Sequence, residues 1–223
     1  GAYADNFNYY NSRVWLQKAH LLSEDIELPN YNKAELTSIF ERISHYTFED
    51  NGIQNIIKDL KHSGVGFLVL DHLPRTYMDG ACFFRDNNPF IVYTCRHDRV
   101  DNFWFLIAHE IAHILTHLNE SNAEGIIDDL STESRDLNAI EKEADSLAKT
   151  VLKHHEILQY FREIDNISNI SVTQCSRELK IHPAIILGAL QYNNIISWNH
   201  YLNKHKVKVS DSLRDIYRYT KSD

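Results

Sequence analysis

The H-E-x-x-H motif at residues 109–113 constrains this chain more than any other feature of its sequence. It lies within residues 101–118, a segment of helix-forming composition without glycine or proline. On a helix, His109 and His113 share one face, where both imidazoles can bind one zinc ion at about 2.0–2.1 Å. Glu110 lies beside them and can act as a general base on water. The motif is typical of zinc hydrolases, although a buried helix with two unrelated histidines also fits it.

A catalytic zinc site needs a third protein ligand, and a second predicted helix at residues 137–152 supplies candidates. Glu141 and Asp145 are four residues apart and share one face, so we expect Glu141 to complete the metal site. We expect Asp145 to accept a hydrogen bond from the outer ring nitrogen of a ligand histidine. Glu143 points about 160° away from Asp145 on a helix, which makes it the poorer, still open alternative.

His117 continues the helix face of the motif but is a poor third ligand. It would lie about 12 Å along the helix axis from His109, and three ligands in a straight row cannot form a tetrahedral site. A set of three histidines of the metzincin type needs a glycine turn before the third one, and residues 114–117 contain no glycine. We therefore interpret His117 as a residue of the helix C-terminus or of the rim of the site.

The composition favours a globular protein of the cytoplasm. The 223 residues are 43% hydrophobic and 11% aromatic, which suffices for a substantial core. No segment reaches the roughly 18 uninterrupted apolar residues of a membrane span. The 3 cysteines show no C-x-x-C spacing, as expected of free thiols in a reducing compartment. The net charge of −8 argues against direct nucleic-acid binding by this chain.

The distribution of apolar residues predicts a mostly helical α+β fold. Residues 1–62 are expected to form an N-terminal helical segment, which ends at the helix-stop signal Ser63-Gly64. Three short apolar runs then predict strands at residues 65–70, 80–84 and 90–94. We expect the last two strands to form a hairpin around a turn at residues 86–89.

A small three-stranded sheet directly before an H-E-x-x-H helix is the zincin arrangement. We therefore predict a zincin-like metallopeptidase core over residues 63–160, whose edge strand pairs with an extended peptide. A polar connection at residues 119–136 joins the two ligand helices and contains a candidate brief strand, Ile126-Ile127. Residues 161–223 are expected to form a C-terminal helical segment that packs on this core.

The C-terminal segment contains two short predicted helices joined by a tight turn, and His182-Pro183 opens the second. The pair resembles a helix-turn-helix, but residues 184–192 are nearly all apolar and contain no arginine or lysine. Buried packing is therefore favoured over DNA contact. Some zincins use a distant histidine to stabilise the oxyanion of the transition state. His182 is a candidate for that catalytic role or for a structural one, and Tyr93 is a further candidate.

Five motifs follow one another in a specific order along the chain. They are Arg99-Val100-Asp101-Asn102-Phe103-Trp104-Phe105, His109-Glu110-Ile111-Ala112-His113, Ile127-Asp128-Asp129-Leu130, Glu141-x-Glu143-Ala144-Asp145 and Ile181-His182-Pro183-Ala184-Ile185. Together they resemble the ImmA/IrrE family of metallopeptidases, in the branch that is often fused behind an Xre-type helix-turn-helix. The resemblance covers roughly residues 55–192. It rests on the combination, because each motif alone is a weak signal.

The resemblance implies a zincin-like fold with zinc bound by His109, His113 and Glu141, and with Glu110 as the base. Members of the family typically cleave a helix-turn-helix repressor and so derepress mobile-element or stress-response genes. The implied partner is thus a DNA-binding repressor in the cytoplasm. Two departures matter: many members have asparagine at Asp145, and residues 1–62 show no clear DNA-binding domain. We expect that domain to be absent or to precede the sequence.

A competing hypothesis is a regulatory module that keeps the fold and the metal site for protein recognition, as in a transcription regulator or an antitoxin. The presence of Glu110 favours the enzyme, since a scaffold has no need of it. A third hypothesis, an aminopeptidase, requires an acidic site for the substrate amine, for which Asp128-Asp129 is the candidate. Zinc is preferred on ligand type, although Mn²⁺ or Fe²⁺ also suit two histidines and a glutamate.

Overall fold

The computed structural model describes residues 2–71, 79–118, 126–127 and 135–214 of the chain. Within them, nine α-helices surround one small mixed sheet, which confirms the predicted α+β class. Four helices precede the sheet, as predicted for residues 1–62: α1 Ala2–Ser23, α2 Lys33–Glu41, α3 Ile43–Phe48 and α4 Gly52–His62. The predicted stop is present, because Ser63 caps α4 and Gly64 follows with a positive φ of 82°.

The sheet contains the three predicted strands and the brief fourth one. Its strands are β1 Gly66–Val69, β2 Gly80–Arg85, β3 Asn88–Tyr93 and β4 Ile126–Ile127. The order is β1-β3-β2-β4, with β1 parallel to β3 and the other pairs antiparallel. The turn predicted at residues 86–89 is wrong in length, because Asn88 and Pro89 already belong to β3. Asp86 adopts a positive φ of 53°, which closes the hairpin with only two residues.

Helix α5, Val100–Thr116, lies across this sheet and carries the H-E-x-x-H motif. Phe103 packs edge-on against Tyr93 of β3, with ring centroids 5.4 Å apart. Gly80 allows close approach of the helix to β2, since a Cβ at that position would lie 2.7 Å from Leu106 Cδ1. Nearly every residue of α5 from Val100 to Ile114 is buried. The metal motif therefore belongs to the most enclosed helix of the described chain.

The remaining helices pack around α5. They are α6 Arg135–Val151, α7 His154–Phe161, α8 Asn169–Leu179, α9 Pro183–Tyr192 and two 3-10 helices, Tyr201–His205 and Ser210–Leu213. The segment between the two 3-10 helices bonds to the start of α5, because Val100 donates its backbone N–H to Val207 O at 2.9 Å. Lys206 Nζ lies 2.6 Å from Asp101 Oδ2 in a buried ion pair. Most buried residues between Leu36 and Leu213 form the main hydrophobic core, and a second cluster joins Trp15 of α1 to Phe83 and Phe90 of the sheet.

Two further expectations concern the chain as a whole. Cys82, Cys95 and Cys175 form no disulfide with one another, as the odd count and the spacing predict. Across the described ranges, we find no helix that combines the length and the apolar character required to cross a membrane.

Residues 184–190 of α9 are buried apart from Gly188, so this helix packs inside the protein rather than presenting a DNA-reading face.

Candidate metal centre

Two helices bring three metal-ligating side chains to one point. His109 and His113 lie one turn apart on α5, and their side chains are 8% and 1% exposed. Glu141 reaches them from the first half of α6. One ligand atom from each residue lies within 4.8 Å of the other two. The sequence-predicted ligands are therefore the group that the structure brings together.

The ligand atoms converge closely enough to fit a single metal ion. The two histidine Nε2 atoms are 2.9 Å apart, and Glu141 Oε2 lies 3.0 Å from His109 Nε2 and 3.4 Å from His113 Nε2. A circle through these three atoms has a radius of about 1.8 Å, which is below the zinc–nitrogen bond length of roughly 2.0 Å. One ion can thus reach all three atoms. Two imidazole nitrogens and a carboxylate are a donor set that zinc accepts.

Asp145 fixes the orientation of the first histidine. Its Oδ1 lies 3.1 Å from His109 Nδ1, one helical turn beyond Glu141 on α6. A carboxylate oxygen only accepts hydrogen bonds, so Nδ1 carries a proton, and Nε2 is the nitrogen that would bind a metal ion. This is the role that the sequence predicts for Asp145.

The protonation states follow from burial and from these contacts. Burial lowers the pKa of His109, but hydrogen bonds with Asp145 and Glu141 outweigh burial and raise the pKa to about 10. Burial lowers the pKa of His113. Burial alone would raise the pKa of Glu141, yet its bonds with the two histidines lower the pKa to about 2. The Glu141 carboxylate is therefore ionised and the site has a negative ligand at neutral pH.

The alternative ligand Glu143 has a different partner. Its Oε2 lies 3.1 Å from His117 Nε2, and its side chain is 62% exposed. His117 Nδ1 in turn lies 3.1 Å from His113 Nδ1. His117 also ends α5, because its backbone N–H bonds to His113 O. His117 thus contacts the outer nitrogen of a ligand histidine, a contact that the sequence analysis missed although the four-residue spacing could have indicated it.

Glu110 is enclosed within the same turn of α5. It is only 2% exposed, and its charge contributes to the raised pKa of His109. Its neighbour one turn earlier, Leu106, faces Gly80 at the start of β2. Since side chains four residues apart share a face, Glu110 lies on the side of α5 that faces the sheet. The Glu110 carboxylate therefore lies on the sheet side of α5, close enough to His109 to affect its pKa.

The two oxyanion candidates lie elsewhere in the structure. His182 caps α9, where its Nδ1 accepts the backbone N–H of Ala184 at 3.1 Å. It lines a cleft with Thr47 and Trp104, and burial lowers its pKa to about 4. The Tyr93 hydroxyl donates to His97 O at 3.3 Å and is almost fully buried. Among the described contacts, neither side chain touches the ligand group, so geometry gives no support to either catalytic assignment.

The sequence matches no protein-family model and no curated protein. The family resemblance therefore remains an interpretation of the motifs themselves. Asp128 and Asp129, the acidic pair required by the aminopeptidase hypothesis, lie outside the described residues.

Proposed function

We propose that this protein is a zinc-dependent metallo-endopeptidase of the ImmA/IrrE type with a zincin-like fold. We further propose that it acts in the cytoplasm on a helix-turn-helix repressor of the Xre type. One observation carries the proposal: two histidine nitrogens and a glutamate oxygen converge within 2.9–3.4 Å, beside a buried glutamate on the same helix. Glu110 occupies the position of the H-E-x-x-H motif that serves as the general base in zinc hydrolases.

The chemistry assigns a separate task to each side chain. His109, His113 and Glu141 would hold a zinc ion, which when bound supplies a Lewis acid for the scissile carbonyl and lowers the pKa of water. Glu110 takes the proton from the attacking water and passes it to the leaving amine. Asp145 keeps His109 in the tautomer that presents Nε2 to the ligand group. Each step uses a side chain whose position supports that role.

The sheet and the surface charge support a protein substrate. The two-residue strand β4, which follows α5 in the sequence, pairs with β2 and forms one edge of the sheet. An extended peptide that adds to this edge would be held by backbone hydrogen bonds. The chain carries a net charge of −8, whereas DNA-binding repressors carry basic surfaces. Opposite charges would speed the encounter between the two proteins.

The test is a cleavage assay on a peptide library prepared from a digested bacterial proteome. Wild type and Glu110→Gln are loaded with zinc, and new peptide termini are identified by mass spectrometry. We expect wild type to generate new termini and Glu110→Gln to bind zinc equally while generating at least about 100-fold fewer. Glu178→Gln is the control, since Glu178 is an exposed acidic side chain on α8.

Two results would overturn the proposal. Near-wild-type cleavage by Glu110→Gln would show that this carboxylate is not the base. Zinc-loaded wild type that generates no new termini, in the library or in a panel of Xre-type repressors, would favour the regulatory-module hypothesis instead.

A further inference from the structure

A cavity of about 170 Å³ lies beside the ligand group, between α5, α6 and α9. Its apolar and aromatic wall consists of Phe105, Leu152, Ile185, Ala189, Tyr192 and Trp198. Its polar side chains are Arg99, Asp101, Asn102, Asp145, Lys149 and His154. Tyr192 and Trp198 at its mouth are 59% and 55% exposed, which is unusual for side chains of this size. The mechanism described above does not use this cavity.

The cavity begins immediately behind the first ligand histidine. Asp145 lines it and also bonds to His109 Nδ1 at 3.1 Å. Phe105 lines it too, and its ring centroid lies 6.3 Å from that of His109. Only the width of one imidazole therefore separates the cavity from His109 Nε2. A peptide whose scissile carbonyl lies at the ligand group would place a neighbouring side chain at the cavity mouth.

A glycine keeps this volume empty. Gly188 lies in the interior of α9 and lines the cavity. A Cβ at this position would have Asp101 Oδ2 as its nearest neighbour, at 3.4 Å, which is ordinary contact. Glycine is less favourable than alanine inside a helix. Packing and helix propensity would both tolerate a side chain here, so neither explains the glycine.

The charged groups around the cavity are already paired with one another. Arg99 Nε lies 3.2 Å from Asp101 Oδ1, and Lys206 Nζ lies 2.6 Å from Asp101 Oδ2. Lys149 Nζ lies 3.6 Å from Asp145 Oδ2 and above the ring of Tyr192. A charged occupant would have to break these pairs. An uncharged apolar occupant would only displace water from the aromatic walls.

We infer that this cavity binds a bulky apolar side chain of the substrate, of the size of phenylalanine, next to the scissile bond. The inference rests on the proposed peptidase function and names the residue class that the enzyme selects. A cavity of about 150 Å³ lined by apolar side chains holds a benzene molecule, so the present volume suits a phenyl ring. Gly188 and Trp198 are the residues that determine the selection.

The first experiment measures binding without cleavage. Zinc-loaded Glu110→Gln is titrated by calorimetry with two acetylated, amidated pentapeptides, one of alanines and one with a central phenylalanine. We expect the phenylalanine peptide to bind about tenfold more tightly. Gly188→Ala should reduce that preference about fivefold by filling the cavity, while thermal stability stays equal or rises. Ile170→Ala removes an apolar side chain that is 69% exposed on α8, and this control should change nothing.

Equal binding of the two peptides, or an unchanged preference in Gly188→Ala, would overturn the inference. The second experiment separates it from the proposed function. In the proteome library, wild type should cut beside phenylalanine and other bulky apolar residues, and Gly188→Ala should shift the cuts toward smaller ones. Cleavage without such a preference sinks the inference and leaves the peptidase intact. Selective binding without any cleavage sinks the peptidase and leaves the apolar site intact.

Discussion

Replacing Asp145 with alanine should weaken zinc binding without removing any atom that contacts the metal. The substitution deletes the hydrogen bond from His109 Nδ1, which is 3.1 Å long, and frees the ring to rotate and change tautomer. Loss of such an outer partner typically costs 10–100-fold in metal affinity. The Asp145 side chain is 37% exposed, so water can replace part of the bond. We therefore expect the lower end, about tenfold or roughly 1.4 kcal/mol.

The assay is competition for zinc with a chromophoric chelator, from which the dissociation constant of each variant is obtained. Glu178→Ala is the control, because it removes an exposed acidic side chain on α8, and we expect a change below about twofold. Asp145→Asn retains an acceptor oxygen and should lie between wild type and Asp145→Ala. Wild-type affinity in Asp145→Ala, or an equal loss in Glu178→Ala, would refute the assigned role of Asp145.

Three further predictions concern the whole protein. Zinc at 100 times its dissociation constant should stabilise the fold by about 2.7 kcal/mol, measured by urea unfolding with and without chelator. The pKa of His109 is raised to about 10, so below pH 10 zinc must displace a proton from His109. The affinity for zinc should therefore fall about tenfold for each unit by which the pH is lowered from 10 toward 6.5. Calorimetry in two buffers of different ionisation enthalpy should detect about one released proton. Lys206→Met should cost about 3 kcal/mol of unfolding free energy, because Arg99 is then the one described ion-pair partner left to the buried Asp101 carboxylate. Lys204→Met, at an exposed lysine, should cost under about 0.5 kcal/mol.

The sequence was sufficient to locate the candidate metal ligands because helical geometry is local. His109 and His113 must share a face if residues 101–118 form a helix, and the absence of glycine and proline predicts that helix. The four-residue spacing of Glu141 and Asp145 likewise predicts that Glu141 completes the metal site while Asp145 accepts a hydrogen bond from a ligand histidine. Choosing Glu141 over Glu143 depends on how α6 is rotated against α5. That rotation is set by packing between distant segments, which spacing does not reveal.

Long-range placement also explains the predictions that found no support. The His182-Pro183 pair correctly indicates a helix start, where proline favours the first turn and the histidine caps it. Whether His182 also reaches the metal ligands depends on the approach of α9 to α5. His182 interacts with Asp101, eight residues before His109, which corresponds to about 12 Å along the helix. The hairpin turn was overestimated because Pro89 was interpreted as a turn residue, although a proline near the start of a strand is tolerated.

The most direct test of the account is the zinc content of the purified chain, measured by elemental mass spectrometry for wild type, His113→Ala and Glu143→Ala. The convergence of His109, His113 and Glu141 predicts about one zinc per chain in wild type and in Glu143→Ala, and almost none in His113→Ala. No zinc in wild type after zinc is added, or equal zinc in His113→Ala, would contradict the central claim that this group is a metal site.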